Sequence, residues 1–131
     1  MCIRDSSLAY AGERQTFGVP IGRKQGVAFQ IADLEVMLQA SRALTYRAAA
    51  MKDAGAPAKE FKQAASIAKL YATESAVTAT RIATQVFGGY GFMEEYAVAR
   101  LYRDAKVLEI GEGTSEVQRM LIARGLGLPV E

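Results

Sequence analysis

PAKEFKQAASIAKLYATESAVTATRIATQVFGGYG, residues 57–91, decides the fold. Proline opens the stretch and does not recur within it. Ala64, Ala65, Ala68, Ala72, Ala76, Ala79 and Ala83 interleave with Ile67, Leu70, Val77, Ile82 and Val86, which predicts a helix from about Pro57 to Phe87. Such small side chains let helices approach closely. Gly88-Gly89-Tyr90-Gly91 ends it, because glycine tolerates backbone angles that other residues resist.

Upstream, Val27, Ile31, Leu34, Leu38, Ser41, Thr45 and Ala48 recur at alternating steps of three and four. That spacing predicts an amphipathic helix from Gln25 to about Ala54. At about 1.5 Å per residue it runs ~45 Å, too long for a compact mixed domain and natural for a bundle. Asp53-Ala-Gly55-Ala-Pro57 supplies a C-cap and a restart, so the two long helices should form an antiparallel pair. Downstream, Glu94 to about Ile110 reads as a shorter helix, with Glu94 and Glu95 in its first turn and Tyr102, like Tyr71 upstream, packed. A last helix is expected over Ser115–Ala123, with Ser115-Glu-Val-Gln118 as a capping box. A clipped helix ends near Arg14, and Phe17–Ile21 is an extended break in which Pro20 biases Val19 away from helix. No segment signals a sheet, so the fold class is an all-α, up-and-down helical bundle.

The chain has 131 residues, half of them apolar, and a formal charge of +2 with both signs interspersed. One domain with a hydrophobic core is the working count, and no basic stripe points to nucleic acid. Histidine is absent and Cys2 is the lone cysteine, which excludes disulfides, His/Cys zinc sites and Cys/His nucleophilic pairs within one chain. No apolar run approaches the ~20 residues of a membrane span and no signal segment opens the chain, so an intracellular, soluble protein is expected. Met1–Ser6 shares no pattern with the rest of the chain and reads as a vector- or adapter-derived leader on a chain that begins mid-gene, the alternative being a loose native start.

Three polar segments interrupt the bundle, each at a helix boundary. In Glu13-Arg-Gln-Thr-Phe-Gly18, the Arg14 guanidinium could grip phosphate oxygens with an aromatic ring beside it. The plainer alternative is a solvated arginine and a buried Phe17. In Gln85-Val-Phe-Gly-Gly-Tyr-Gly91, glycines let backbone amides approach a ligand while Gln85 offers donor and acceptor. A simple C-cap would explain the glycines equally. In Gly111-Glu-Gly-Thr-Ser-Glu116, Glu112 sits between glycines just before a helix start. The helix dipole favours its charged form, burial would favour its neutral form, and a mere helix-end charge remains an alternative.

In this order and spacing the segments resemble the C-terminal domain of acyl-CoA dehydrogenases. The resemblance runs from about Leu8 to Gly127 through Tyr10-Ala-x-x-Arg14-x-x-Phe17-Gly18, Gln25, Ile31-Ala-Asp-Leu34, Gln85–Phe92, Arg103-Asp-Ala-Lys106 and Gly111–Arg119. It implies a domain over residues 7–127 with a tail at 128–131, FAD as cofactor, and an acyl-CoA thioester as substrate. In the family a carboxylate takes the α proton while the β hydrogen leaves as hydride, giving a trans-2-enoyl-CoA. Glu112 matches the base, and its backbone amide matches the donor to the thioester carbonyl. Arg14, Thr16, Phe17 and Gln25 match FAD contacts, often made across a subunit boundary. Gln85, Gly88 and Gly89 match a segment that meets the adenosine end of a neighbouring subunit's FAD. Gly113 matches a substrate contact, and Thr114 and Glu116 match residues near the cofactor.

The resemblance further implies a homodimer or homotetramer, an electron-transfer flavoprotein as acceptor, and a bacterial cytoplasmic or mitochondrial matrix location. Two departures qualify it. Glu116 stands where some members have glutamine, and Gly111 where several have tyrosine. One branch of the family carries its base on an earlier helix and a small residue at the Glu112 position; the glutamate here argues against that branch. The domains that complete the flavin and acyl-CoA sites are not in this chain, which is expected to be inactive alone. An acyl-CoA oxidase or flavin monooxygenase on the same scaffold, or a non-catalytic helical interaction module, are the alternatives.

Overall fold

Alanine lets one helix touch all the others. In the computed structural model, which describes residues 3–130, helix α3 spans Ala58–Phe87 and packs against α1 (Ile3–Glu13), α2 (Gln25–Asp53), α4 (Ala97–Leu108) and α5 (Ser115–Gly125). The fold is the expected all-α bundle. Ala64 and Ala68 of α3 meet Ala48 of α2, flanked by Leu44 and Met51. Further along, Val86 joins Ala11 and Ile21, and Ala83 and Phe87 join Val98 of α4. These small contacts bring helix axes close and bury few large side chains; Leu34, 2% exposed, is the largest fully buried one.

The turn between α2 and α3 follows from its glycine. Gly55 adopts φ +69; its N–H donates to Lys52 O, and the N–H of Ala56 donates to Met51 O at 2.9 Å. This reciprocal pair closes α2 and reverses the chain in four residues. Gly127, φ +96, repeats it after α5, with Leu128 N–H donating to Ala123 O at 3.1 Å.

Several expectations need correction. Residues 15–20 are not simply an extended break: Gln15–Thr16 (β1) and Val19–Pro20 (β2) pair antiparallel, followed by a 3₁₀ turn over Ile21–Arg23. A two-residue ladder is too short to show alternation. Helix α4 starts three residues later than expected and ends at Leu108, because the Tyr96 N–H donates to Met93 O in a separate turn and Tyr96 itself is extended. Glu94 thereby lies outside the helix, where its carboxylate accepts from Arg103 at 2.9 Å. Thr45, on the expected buried stripe of α2, is exposed, with its hydroxyl donating to Ser41 O. Tyr102 is likewise exposed. Of residues 1–6, Met1 and Cys2 lie outside the described residues, and Ile3–Ser6 begin α1. Among the described residues, no helix is long and apolar enough to cross a membrane, and no cluster of His, Cys, Asp or Glu could hold a metal ion.

Gly91 is buried, and a Cβ there would lie 2.4 Å from Thr84 O. Gly91→Ala should therefore lower unfolding free energy by about 1–3 kcal/mol in urea titration. Gly12→Ala on α1, with open space around its Cβ, should be neutral or gain up to about 1 kcal/mol.

Candidate active site

The hairpin after α1 is built on an unusual residue. Phe17 and Gly18 form its tip with φ of +53 and +76, the doubly positive turn that suits the twist of two short strands. Glycine adopts this freely, whereas a phenylalanine there costs about 1–2 kcal/mol. Its ring gains little in exchange from this chain: it is 96% exposed, with the Lys24 ammonium 5.0 Å from its centroid. The alternative of a buried Phe17 is overturned, since the turn throws the ring outward.

Beside the hairpin lies a cleft of about 510 Å³ walled by Arg14 and Thr16 on one side and Gly88, Gly89 and Tyr90 on the other. Tyr10 and Phe87, stacked 4.2 Å apart, form its floor, and the Tyr10 hydroxyl donates to Phe87 O at 3.4 Å. Burial pushes the Tyr10 phenol up from its ordinary value, against the opposing pull of Arg14, so it remains a neutral donor. The Arg14 guanidinium sits 5.6 Å from the centre of the Tyr90 ring, and among the described residues no carboxylate pairs with it. Gly88, φ +60, and Gly89 leave open space where side chains would stand. An unpaired guanidinium, a hydroxyl and bare backbone form a donor set suited to phosphate oxygens.

The second site is the connection from α4 to α5. Gly111 N–H donates to Val107 O at 2.8 Å, and Ser115 N–H donates to Glu109 O at 3.0 Å, closing a loop. At its apex Glu112 and Gly113 have φ of +56 and +91. Lys69 Nζ on α3 donates to Gly113 O at 2.7 Å, and Gln118 Nε2 donates to both Glu112 O and Gly113 O at 3.3 Å. The φ of +91 favours glycine at Gly113, and a Cβ there would lie 2.8 Å from Gln118 Nε2, the movable end of that side chain. The Glu112 side chain is exposed; this chain's own residues do not bury it. Among the described residues no acceptor meets the Glu112 N–H.

The cap of α5 is shifted by one residue from the expected box. Thr114 is the N-cap, its hydroxyl accepting from Val117 N–H at 3.3 Å, while Ser115 Oγ is buried without a partner. Gln118 is drawn instead into the loop, because the left-handed turn at residues 112–113 presents two carbonyls to it. Hydrogen bonds from its own backbone N–H and from the Thr114 hydroxyl hold the Glu116 carboxyl below its ordinary value.

The expected site residues thus fall into two groups. Arg14, Thr16, Gly88 and Gly89 share the cleft, with Phe17 at the hairpin tip. Glu112, Gly113, Thr114 and Glu116 share the loop and helix start. Gln25 at the start of α2 and Gln85 on α3 are exposed and do not line the cleft. From Lys69, beneath the loop, to Gly88, at the cleft, is about 28 Å along α3 at 1.5 Å per residue. Sequence reasoning did not single out Tyr10, Tyr90 or Lys69 as site residues. Lys69 carried a signal, a lone cation among Ala64, Ala65, Ala68 and Ala72.

Residues 1–127 match the family described as acyl-CoA dehydrogenase, C-terminal domain. Over 122 residues the chain is 48% identical to the probable acyl-CoA dehydrogenase YngJ of Bacillus subtilis, covering 93% of this chain and 31% of YngJ. The solved structure of butyryl-CoA dehydrogenase from Megasphaera elsdenii matches with a TM-score of 0.92 at 41% identity, over 96% of this chain and 32% of that one. The FAD complex of PigA matches with a TM-score of 0.93 at 33% identity, over 98% of this chain and 33% of its own. The chain spans about a third of the length of the relatives it matches.

Thr114→Ala should cost about 1 kcal/mol by chemical denaturation. Ser115→Ala, which removes only an unpartnered hydroxyl, should be neutral or slightly stabilising. Because the folded Glu116 carboxyl is held low, its contribution is present at neutral pH and is lost as pH falls through the range below the ordinary carboxylate value. Melting curves of wild type and Glu116→Gln should accordingly differ at neutral pH and converge in acid.

Proposed function

The chain belongs to the acyl-CoA dehydrogenase family as its C-terminal domain, and on that premise we propose that it supplies the base and part of the flavin site of an enzyme that desaturates an acyl-CoA thioester. The observation that carries this reading is the backbone of Glu112. Among the described residues only Glu112 and Phe17 are non-glycine residues with positive φ. Strain of this kind, about 1–3 kcal/mol per residue, persists where surrounding contacts enforce it and concentrates at functional sites. Here it presents a carboxylate and an unpartnered N–H from one residue.

The chemistry follows from those two groups. The Glu112 carboxylate takes the proton from the α carbon of the thioester, and its N–H donates to the thioester carbonyl as negative charge grows there. The α C–H electron pair becomes the new α,β double bond as the β hydrogen departs with its own pair. FAD, when bound, supplies the acceptor for that hydride. Gly113 would contact the substrate, and Thr114 and Glu116 would stand near the cofactor when it is bound. Arg14, Thr16, Gly88 and Gly89, which line the cleft, would hold the phosphate and adenosine end, and the exposed Phe17, Gln25 and Gln85 would add contacts from outside it.

The distance of about 28 Å along α3 between the two groups argues that they serve different flavins. In this reading the enzyme is a homodimer or homotetramer in which one copy's cleft receives the cofactor whose reactive end faces another copy's Glu112. Phe17, Phe29, Val36, Tyr46 and Phe92, large and exposed in the single chain, fit faces that are covered in such an assembly. Electrons leave to an electron-transfer flavoprotein.

The test is Glu112→Gln in the full-length flavoprotein. FAD content should be unchanged, while anaerobic bleaching of the flavin by acyl-CoA should slow by about 10²–10⁴-fold. Bleaching at the wild-type rate would remove Glu112 as the base, and stoichiometric peroxide formation in air would identify an oxidase instead.

A further inference from the structure

Lys69 is a partly buried cation whose ammonium is given to a backbone carbonyl. Among the described residues no carboxylate pairs with it, and its polar partner is Gly113 O at 2.7 Å, 44 positions away in sequence. Removing an ammonium from water is costly, and a neutral residue on α3 would fill the same space. From the other side comes Gln118, 6% exposed, whose carboxamide nitrogen meets both Glu112 O and Gly113 O. These carbonyls belong to the two successive peptide planes on the C-terminal side of Glu112. With both planes tied, the left-handed turn at residues 112–113 is held, and with it the direction in which the Glu112 side chain leaves the backbone.

We propose that Lys69 and Gln118 are positioning residues for proton abstraction, clamping the two peptide planes after Glu112 so that its carboxylate meets the α carbon. The proposal rests on Glu112 being the base. It goes beyond that reading by assigning a chemical consequence to a contact between α3 and the α4–α5 loop that otherwise serves only as packing. Released from the clamp, Glu112 would relax toward negative φ, swinging its Cβ away from the line it now holds. Displacement of a reacting group by about 1 Å can cost on the order of 10²-fold in rate.

The experiment uses the full-length enzyme with FAD bound and Lys69→Met, Lys69→Arg, Gln118→Met and Glu112→Gln variants. Butyryl-CoA and palmitoyl-CoA serve as probes, and the one that bleaches the wild-type flavin faster is used with and without α-deuteration. Lys69→Met and Gln118→Met should each slow anaerobic flavin reduction by about 10–100-fold with FAD content retained. KM should move by less than about twofold, since the loss is confined to the transition state. The α-deuterium isotope effect should rise as proton abstraction becomes more rate-limiting, and Lys69→Arg, which keeps a cationic donor, should recover most of the rate.

Reduction at the wild-type rate in Lys69→Met overturns the proposal. So does a slower rate that tracks lost FAD with an unchanged isotope effect, because that marks a purely structural tie. Should Lys69→Met fail to retain FAD, Gln118→Met and Lys69→Arg decide by the same two readouts. Wild-type bleaching rates in Glu112→Gln, or no bleaching of the wild type at all, defeat the assignment of the base instead.

Discussion

Close approach of α3 to its neighbours is the constraint on which the rest of the structure depends. Ala64 and Ala68 against Ala48, and Ala83 against the Phe87–Val98 contact, bring α2 and α4 to a rod about 45 Å long, and α5 packs on the same rod. Both candidate sites are then placed by where along that rod their elements touch it. The cleft lies where α3 stops at Gly88, and the Glu112 loop lies where α5 starts beside Lys69. A larger residue at the alanine contacts would push helices apart and shift Glu112 relative to Lys69 without altering any residue of either site.

Much of this was legible in the sequence. The long helices were readable to within a residue, because uninterrupted period and the Gly55–Pro57 punctuation both act locally. The segments that resisted reading are short or depend on tertiary contacts. A two-residue ladder at Gln15–Thr16 and Val19–Pro20 leaves no periodic trace, and Glu94-Glu95 looks like a helix start until Tyr96 proves extended. Ser115 and Gln118 satisfy the spacing of a capping box, yet Gln118 is claimed by the loop carbonyls and Thr114 takes the cap. Thr45 keeps the helical spacing but faces solvent.

The roles proposed for the site residues come from resemblance, and physical reading alone left each segment open. Structure resolves some of those alternatives. Phe17 is not a buried ring, whereas Gly88 and Gly89 both end α3 and line a cleft with Arg14 and Thr16. What no single sequence could display is the grouping of these residues into two places far apart, because distance along α3 becomes meaningful only once the loops are docked on it.

That separation has a consequence for inheritance. If the cleft of one copy works with the Glu112 loop of another, damage to Arg14 and damage to Glu112 are defects in different halves of a shared site. A cell making both altered chains would assemble mixed oligomers in which some sites join an intact cleft to an intact loop. Two alleles that are each silent alone would then restore partial function together, and the length of one helix would be visible as complementation within a single gene.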